Sequence, residues 1–588
     1  VSIYLSAGVY SSELDISEIV PNIATTSSAL VGYSAKGDNA NVKLITNSQQ
    51  FVAEYGEPDT STGHYFHQSA LAFLAQGKVL YCYRVANSPL YGGVNVGFDD
   101  AESTSEQTTV AFATGESSRV WDSDDGLFKI YGKDPGIWNN KISIIVENAY
   151  NAYKVQNNSI VYNCLLSNDD IEPGVDTDTA IYWEVATGEL TAGVHQWVLG
   201  ETYIDDETKA YTFDIVVYWQ DEDGISSEKE RWTVSRKTKL DGFGQQLNLV
   251  EKINGFSDYI YIVDGTTEAD TVLPAVNAVA VFFVGGTVGS TVTDTQLATG
   301  WGKFTNPDDV DVRILINGGE ASQEVQVAMK NVAEARKDCI AIFDTPSTDI
   351  EPADIVEYRQ QTLAAINSSY CAIYAGWGKD FDGFNNVSMY LPMSGYVAAQ
   401  YAYNDNVANT WSGPAGFNRG RLPILGVKNI FTEGERDVLY VAGVNPIQEF
   451  RGRGIVVWGQ KTMQKKASAL DRVNVRRLLI MMEKAIVASL QDFTFELNNE
   501  LTRFRIYATI YEYMDYLASQ GAFQTETDEG FKVVCDTTNN TSAVIDRNEL
   551  RVDVFVKPAR VAEFIRLQTI VTNTGASFNE LIAKGTLL

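Results

Sequence analysis

The chain has little of what most chemistries need. No apolar run approaches the roughly 18 residues of a membrane-spanning helix, so no such span is expected. Histidine occurs three times in 588 residues, and only His64 and His67, at i and i+3, could share a helix face. No cysteine or further histidine stands at a spacing that would complete a zinc site with them, so no metal is expected. The five cysteines, at 82, 164, 339, 371 and 535, are odd in number and dispersed, which reads as buried free thiols in a reducing compartment. The opening VSIYLSAGVYSSELD has neither a basic stretch nor an apolar core. It is not read as a secretory signal, and synthesis in a cytoplasm is expected. The Gly-rich pieces GFGQQ (242–246) and VGGTVG (284–289) lack the Lys-Ser/Thr of a phosphate loop and read as turns. There is no G-x-S-x-G elbow to anchor a hydrolase triad, so neither catalytic residues nor a cofactor are expected.

Positive charge is also short. Lys+Arg number 45 against 76 Asp+Glu, a net charge of −31. Residues 451–588 carry 18 basic and 16 acidic residues, net +2, so the other 450 carry 27 and 60, net −33. An acidic bulk disfavours nucleic acid or an anionic membrane as partner. What is plentiful is core-forming material: 45% hydrophobic residues, with 30 Tyr and 26 Phe. At this length roughly three or four domains are expected.

Along the chain the signals change character. Residues 1–20 read as extended, closed by Pro21. Residues 21–90 read as a small α/β segment, with a short helix begun by Asn47 or Ser48, a second helix ended by Gly77 and the buried strand KVLYCYRVAN. Residues 91–250 are rich in Asp, Glu, Thr, Gly and Tyr. Alternating runs such as YTFDIVVYW end in turn clusters such as QDEDG, the pattern of a mainly β, solvent-facing insertion. From 251 to 435 strands (DYIYIV, AVAVFFVGG, VRILING, CIAIFD, SYCAIYAGW) alternate with helices (QEVQVAMKNVAEARKD, IVEYRQQTLAAI), which points to a layered α/β domain with a partly parallel sheet. Residues 436–560 hold the strand GIVVWGQKT, a long helix SALDRVNVRRLLIMMEKAIVASLQDFTF, helical LTRFRIYATIYEYMDYLASQG ended by Gly521, and the strands FKVVCD and ELRVDVFVKP. Residues 561–588 read as a second extended arm. The fold class expected is thus a multidomain α+β or α/β chain.

Several stretches, in order, resemble the contractile phage tail sheath family. SAGVYSSELDIS matches the family's opening at Gly8, Val9, Tyr10 and Glu13, with Ala7 where proline is usual. KDPGIWNNKISI resembles a Gly–x–Trp–x–Asn turn entering a strand, here Gly136, Trp138 and Asn140. RKDCIAIFDTP (336–346), LPMSGYVAAQYAYND (391–405), GVNPIQEF (443–450), IVVWGQKTM (455–463), ALDRVNVRRLL (469–479) and the tail VDVFVKPARVAEFIRLQTIV continue the likeness. The resemblance implies an inner α/β sheath core, an outer β insertion and strand-donating terminal arms. It implies a homo-oligomer, as a helical sheath or stacked rings, on a tail tube protein, with baseplate and tail terminator proteins at the ends. Such a sheath would be assembled in the host cytoplasm, and its contraction would drive the tube through the host envelope during genome ejection. The sheath of a related bacteriocin or secretion machine is the alternative, and an α/β enzyme at 251–435 a more distant one. The 91–250 insertion could also bind host glycans or a decorating protein.

Two surfaces follow. On a helical wheel Val475, Leu478, Leu479, Met482, Ala485 and Ile486 form one stripe. Lys465, Arg472 and Arg476 form another, with Lys466, Arg477 and Lys484 beside them. Residues 451–485 hold nine basic and two acidic residues in an otherwise acidic chain. With the resemblance, this face is expected to hold the tube; a solvated helix face is the plainer reading of the same residues. The inter-subunit arms are expected to act through Val9, Tyr10, Phe564, Ile565, Leu567 and Ile570, adding strands to neighbouring sheets. Pairing within their own chain is the alternative. RGRG (451–454) reads as a turn entering a strand. Trp377 and Trp411 read as packing anchors.

Overall fold

A computed structural model describes residues 26–58, 63–98, 108–121, 126–148, 212–221, 223–238, 240, 244–265, 272–349, 351–526 and 529–564. The chain forms two compact units. One comprises Ala24–Val407 with Pro414–Lys466; the other takes Ala408–Gly413 and the chain from Ala467 onward.

The first unit is built on a nine-stranded sheet. Its order is Arg421–Leu422, Gly454–Val457, Val444–Phe450, Cys371–Ala375, Ile340–Asp344, Ile314–Ile316, Ser27–Tyr33, Val79–Val85, Lys43–Ile45. The strands from Val444–Phe450 across to Val79–Val85 run parallel. The flanks at both edges are antiparallel. Ile340–Asp344 and Cys371–Ala375 are buried along their whole length, which is why they read as unbroken apolar runs and not as alternation. The helix Gln323–Arg336 turns Val325, Met329, Val332 and Ala333 into the core, where they join Trp301, Phe304 and Phe343. Local chemistry sets the helix ends as expected. Asn47 caps Ser48–Tyr55 by accepting from Gln50 N. Phe66–Leu74 closes with Gly77 N donating to Phe73 O. A Cβ on Gly77 would lie 2.2 Å from Phe73 Cζ, so the close approach requires glycine there.

Between Val79–Val85 and Ile314–Ile316 the chain makes two four-stranded antiparallel sheets. One orders Ile260–Asp264, Phe128–Gly132, Gly93–Val96, Val110–Ala111. The other orders Val281–Phe282, Ile142–Asn148, Thr212–Gln220, Ser226–Ser235. Their facing sides share one core, including Phe128, Ile144, Phe213 and Ile262. Strand pairing therefore divides the chain differently from the sequence boundaries. Ile260–Asp264 and Val281–Phe282 pair with the insertion, not with the 251–435 segment. The strands of 21–90, 314–375 and 444–457 form one sheet. Local patterns identify a strand but carry no information on which distant strand it joins.

In the second unit the helices Val473–Leu490 and Glu500–Ser519 pack with the hairpin Phe531–Val534/Asp553–Val556. Leu478, Met482, Ile510, Met514 and Phe531 form the centre, with Trp411 against them. Gly521, at φ +79, ends the second helix as expected.

Candidate functional site

The expected basic stripe is only partly a stripe. The helix starts at Val473, preceded by a 3-10 turn at Ala469–Asp471 in which Ser468 accepts from Leu470 N. Lys465 and Lys466 therefore precede the helix and belong to the first unit. There both are exposed, and Lys465 Nζ donates to Ala364 O at 3.0 Å. A wheel extended back to Lys465 assigns them a helical face that the chain does not form. Arg472 is the N-cap residue. Its Nε and Nη2 grip the Glu563 carboxylate at 2.7 and 2.9 Å, with Asp471 at 3.0 Å. Arg476 and Arg477 are only 6% and 4% exposed, because the first half of the helix is packed on nearly every side. Lys484 is half-buried. The apolar stripe is as expected, except that Leu479 lies at its margin.

The two-pronged Arg472–Glu563 bridge ties residues 559–564 to the helix start. It should contribute about 1–2 kcal/mol, as a charge-assisted pair with both groups mostly shielded. Arg472→Ala is expected to speed amide exchange at 559–564 roughly tenfold while leaving helix 500–519 unchanged, as read by hydrogen–deuterium exchange.

Of the arm residues, Val9, Tyr10, Ile565, Leu567 and Ile570 lie outside the described residues. Phe564 is 82% exposed. The hairpin upstream of it pairs Phe531 with Val556 and Val534 with Asp553, and continues through Gln524 N→Lys557 O and Ala559 N→Ala522 O. Phe531 and Val533 face the helices, while Phe555 is 59% exposed. Among the described residues this sheet has two strands, leaving N–H and C=O groups along its outer edges. A two-stranded ribbon is marginal alone, and a bare edge is a template for another strand.

At the carboxyl ends of the parallel strands, where an α/β enzyme would place its groups, the polar side chains hold the backbone together. Asp344 accepts from Met393 N, Ser394 N and Gly319 N. Asn317 Oδ1 accepts from Asp344 N, and Gln326 Nε2 donates to Asp344 O. His64 pairs with Glu320 at 2.7 Å, which raises its pKa, while His67 Nε2 sits 3.2 Å from Tyr55 O and 3.3 Å from Ser34 Oγ. The two histidines thus face different partners. Trp377 is 3% exposed and donates to Thr345 O; Trp411 O accepts from Asn474 Nδ2. Both are packing anchors.

Comparison with known proteins addresses this arrangement directly. Residues 291–463 match the family model for the phage tail sheath protein central domain, and residues 465–572 that for the phage tail sheath C-terminal domain. The junction falls beside the division between the two units, at Lys466 and Ala467. The tail sheath protein of Vibrio phage KVP40 is 26% identical, over 98% of this chain and 99% of its own. That of Enterobacteria phage T4 is 27% identical over the same shares. The crystal structure of a sheath tail protein from Listeria innocua superposes with a TM-score of 0.52 at 11% identity, covering 87% of this chain and 89% of the other, which supports the fold. Both sheath domains are thus matched in succession, and the chain is similar to phage tail sheath proteins nearly from end to end.

Proposed function

We propose that this chain is the repeating subunit of a contractile phage tail sheath, a structural component of the virion tail and not an enzyme. The observation that carries the reading is the full-length likeness to two phage tail sheath proteins. The open two-stranded hairpin at Phe531–Val534/Asp553–Val556 supplies a physical means of polymerisation. In the finer reading the terminal arms, 1–20 and 561–588, leave their own subunit and add strands to hairpins of neighbours. Contacts of that kind are head-to-tail and do not close on themselves, so they generate a helix or stacked rings. The polymer surrounds the tail tube and ends at the baseplate and the terminator. Subunits are assembled in the host cytoplasm, on the tube, in an extended packing. Release at the baseplate lets them rotate into a wider, shorter lattice while the strand links hold them together. The work is conformational, and no nucleotide is consumed. The tube contact expected of Lys465, Lys466, Arg472, Arg476, Arg477 and Lys484 is retained in this reading for the exposed Lys465 and Lys466 and, separately, for the half-buried Lys484, while the buried Arg476 and Arg477 and the Glu563-paired Arg472 hold the helix Val473–Leu490 in place. A sheath of a related injection machine would use the same parts.

Deleting residues 565–588 tests the arm exchange. The truncated protein is expected to keep its circular dichroism and melting transition but to form no sheath tubes in negative-stain images. Tubes of normal length from the truncated chain would refute the arm exchange.

A further inference from the structure

At one edge of the nine-stranded sheet lies a set of side chains that neither the arms nor the tube contact uses. Among the described residues the edge strand Arg421–Leu422 pairs only with Gly454–Val457, which turns back from Val444–Phe450 through RGRG. Gly452 and Gly454, at φ +73 and +89, make that turn tight and expose Arg451 and Arg453 at its tip. Arg421 Nη2 donates to Arg453 O at 2.7 Å, so the edge strand braces the turn. The Arg453 guanidinium lies 3.5 Å from the centre of the Phe417 ring. Phe417, Phe450 and Trp458 meet edge-on or tilted in one cluster with centroids 4.7–5.2 Å apart, and Trp458 is 37% exposed.

Three exposed arginines thus share one rim, and no ion pair joins Arg421, Arg451 or Arg453 to a carboxylate among the described residues. Glu449, the nearest acid in sequence, pairs with none of them. A guanidinium stacked on a ring keeps its in-plane N–H groups available and has lost much of its freedom already, which suits two-pronged capture of a carboxylate. Arginine beside Trp and Phe is also the composition in which interface energy concentrates. The partner follows from charge. A polymer whose subunits each carry −31 must place local cations against neighbouring anions at its contacts, or self-repulsion opposes assembly. The chain has 76 Asp+Glu to offer and 45 Lys+Arg to receive them.

We propose that this arginine rim is a lateral contact between sheath subunits, taking exposed carboxylates of a second copy of the chain. The proposal rests on the sheath reading but is separate from the arms. The test is the double variant R451E/R453E in the full chain. Its monomer should melt as wild type does, while the concentration needed for tube formation rises at least tenfold at low salt. A photo-cross-linking residue at position 451 should join two copies of this chain in assembled tails. R451Q, which disturbs no ring, should raise that concentration severalfold and decides the matter if the double variant does not fold. Unchanged assembly in these variants, or cross-links running to the tube protein, would overturn the proposal. Failure of the wild-type chain to form tubes would instead sink the sheath reading itself.

Discussion

Asp344→Ala should destabilise the first unit by about 3 kcal/mol, the cost of leaving buried donors unpaired. Asp344 ends a central strand and is 1% exposed. Oδ1 accepts from Met393 N at 2.9 Å and Ser394 N at 2.7 Å, and Oδ2 accepts from Gly319 N at 2.9 Å. The first two donors belong to the start of the helix Ser394–Val407, whose unpaired N–H groups and dipole both favour a carboxylate. Burial pushes the carboxyl up to about 6, while these N–H groups act the other way and favour its ionised form. One side chain thereby joins the strand end, the 317–321 loop and the helix start. Alanine would leave two buried N–H groups, Met393 N and Ser394 N, and the part-buried Gly319 N without this acceptor. Asp344→Asn keeps the volume but aims an NH2 at a donor, and should cost about 2 kcal/mol. Urea denaturation followed by tryptophan fluorescence measures both. A loss under about 0.5 kcal/mol for alanine would show that the donors find other acceptors.

Much of this architecture is legible in the sequence where the signal is local. CIAIFD and SYCAIYAGW announce buried parallel strands because both faces are covered, and QEVQVAMKNVAEARKD announces its helix by periodicity. YTFDIVVYW followed by QDEDG gives the hairpin Thr212–Gln220/Ser226–Ser235. GIWNN forms the expected turn, the 3-10 segment Ile137–Lys141 with Trp138 buried, leading into Ile142–Asn148. The failures share one cause. Charged residues are usually solvated, so a charge pattern reads as a surface. Arg476 and Arg477 break that rule, and Lys465 and Lys466 fall off the wheel because the α-helix begins only at Val473, after a 3-10 turn at Ala469–Asp471. Burying a guanidinium requires acceptors that only tertiary folding assembles, so no local pattern marks it.

Arg84 is the strongest case of this kind, and its loss should be the costliest point change in the chain. It is 0% exposed, on the strand Val79–Val85. Nε donates to Ser34 O at 2.7 Å, Nη1 to Gly37 O and Pro135 O at 2.5 and 2.8 Å, and Nη2 to Ala35 O at 3.4 Å. The carbonyls at 34–37 follow the first strand of the sheet, and Pro135 belongs to the turn that joins Phe128–Gly132 to Ile142–Asn148, between the two sheets of the insertion. Gly136 abuts the same place, where a Cβ would fall 2.3 Å from Ala35 O. One guanidinium therefore fastens the insertion to the sheet. Arg84→Met keeps the bulk and removes every donor, leaving buried carbonyls unpaired, for about 4 kcal/mol. Arg84→Lys can satisfy one or two of them and should cost about half as much. Amide exchange across 128–148 should quicken more than across 340–375, which separates loosening of the insertion from general unfolding. The deficit also has a pH signature. Burial, with Glu54 and Asp38 nearby, pushes the Asp134 carboxyl up to about 6, and Arg84 opposes that rise. Without Arg84 the ionised Asp134 costs more and its folded pKa rises further, so the methionine variant should fall further below wild type as pH rises through about 6 and above, and that part of its deficit should vanish on acidification below about 6. A deficit independent of pH would mean that Arg84 acts through its hydrogen bonds alone.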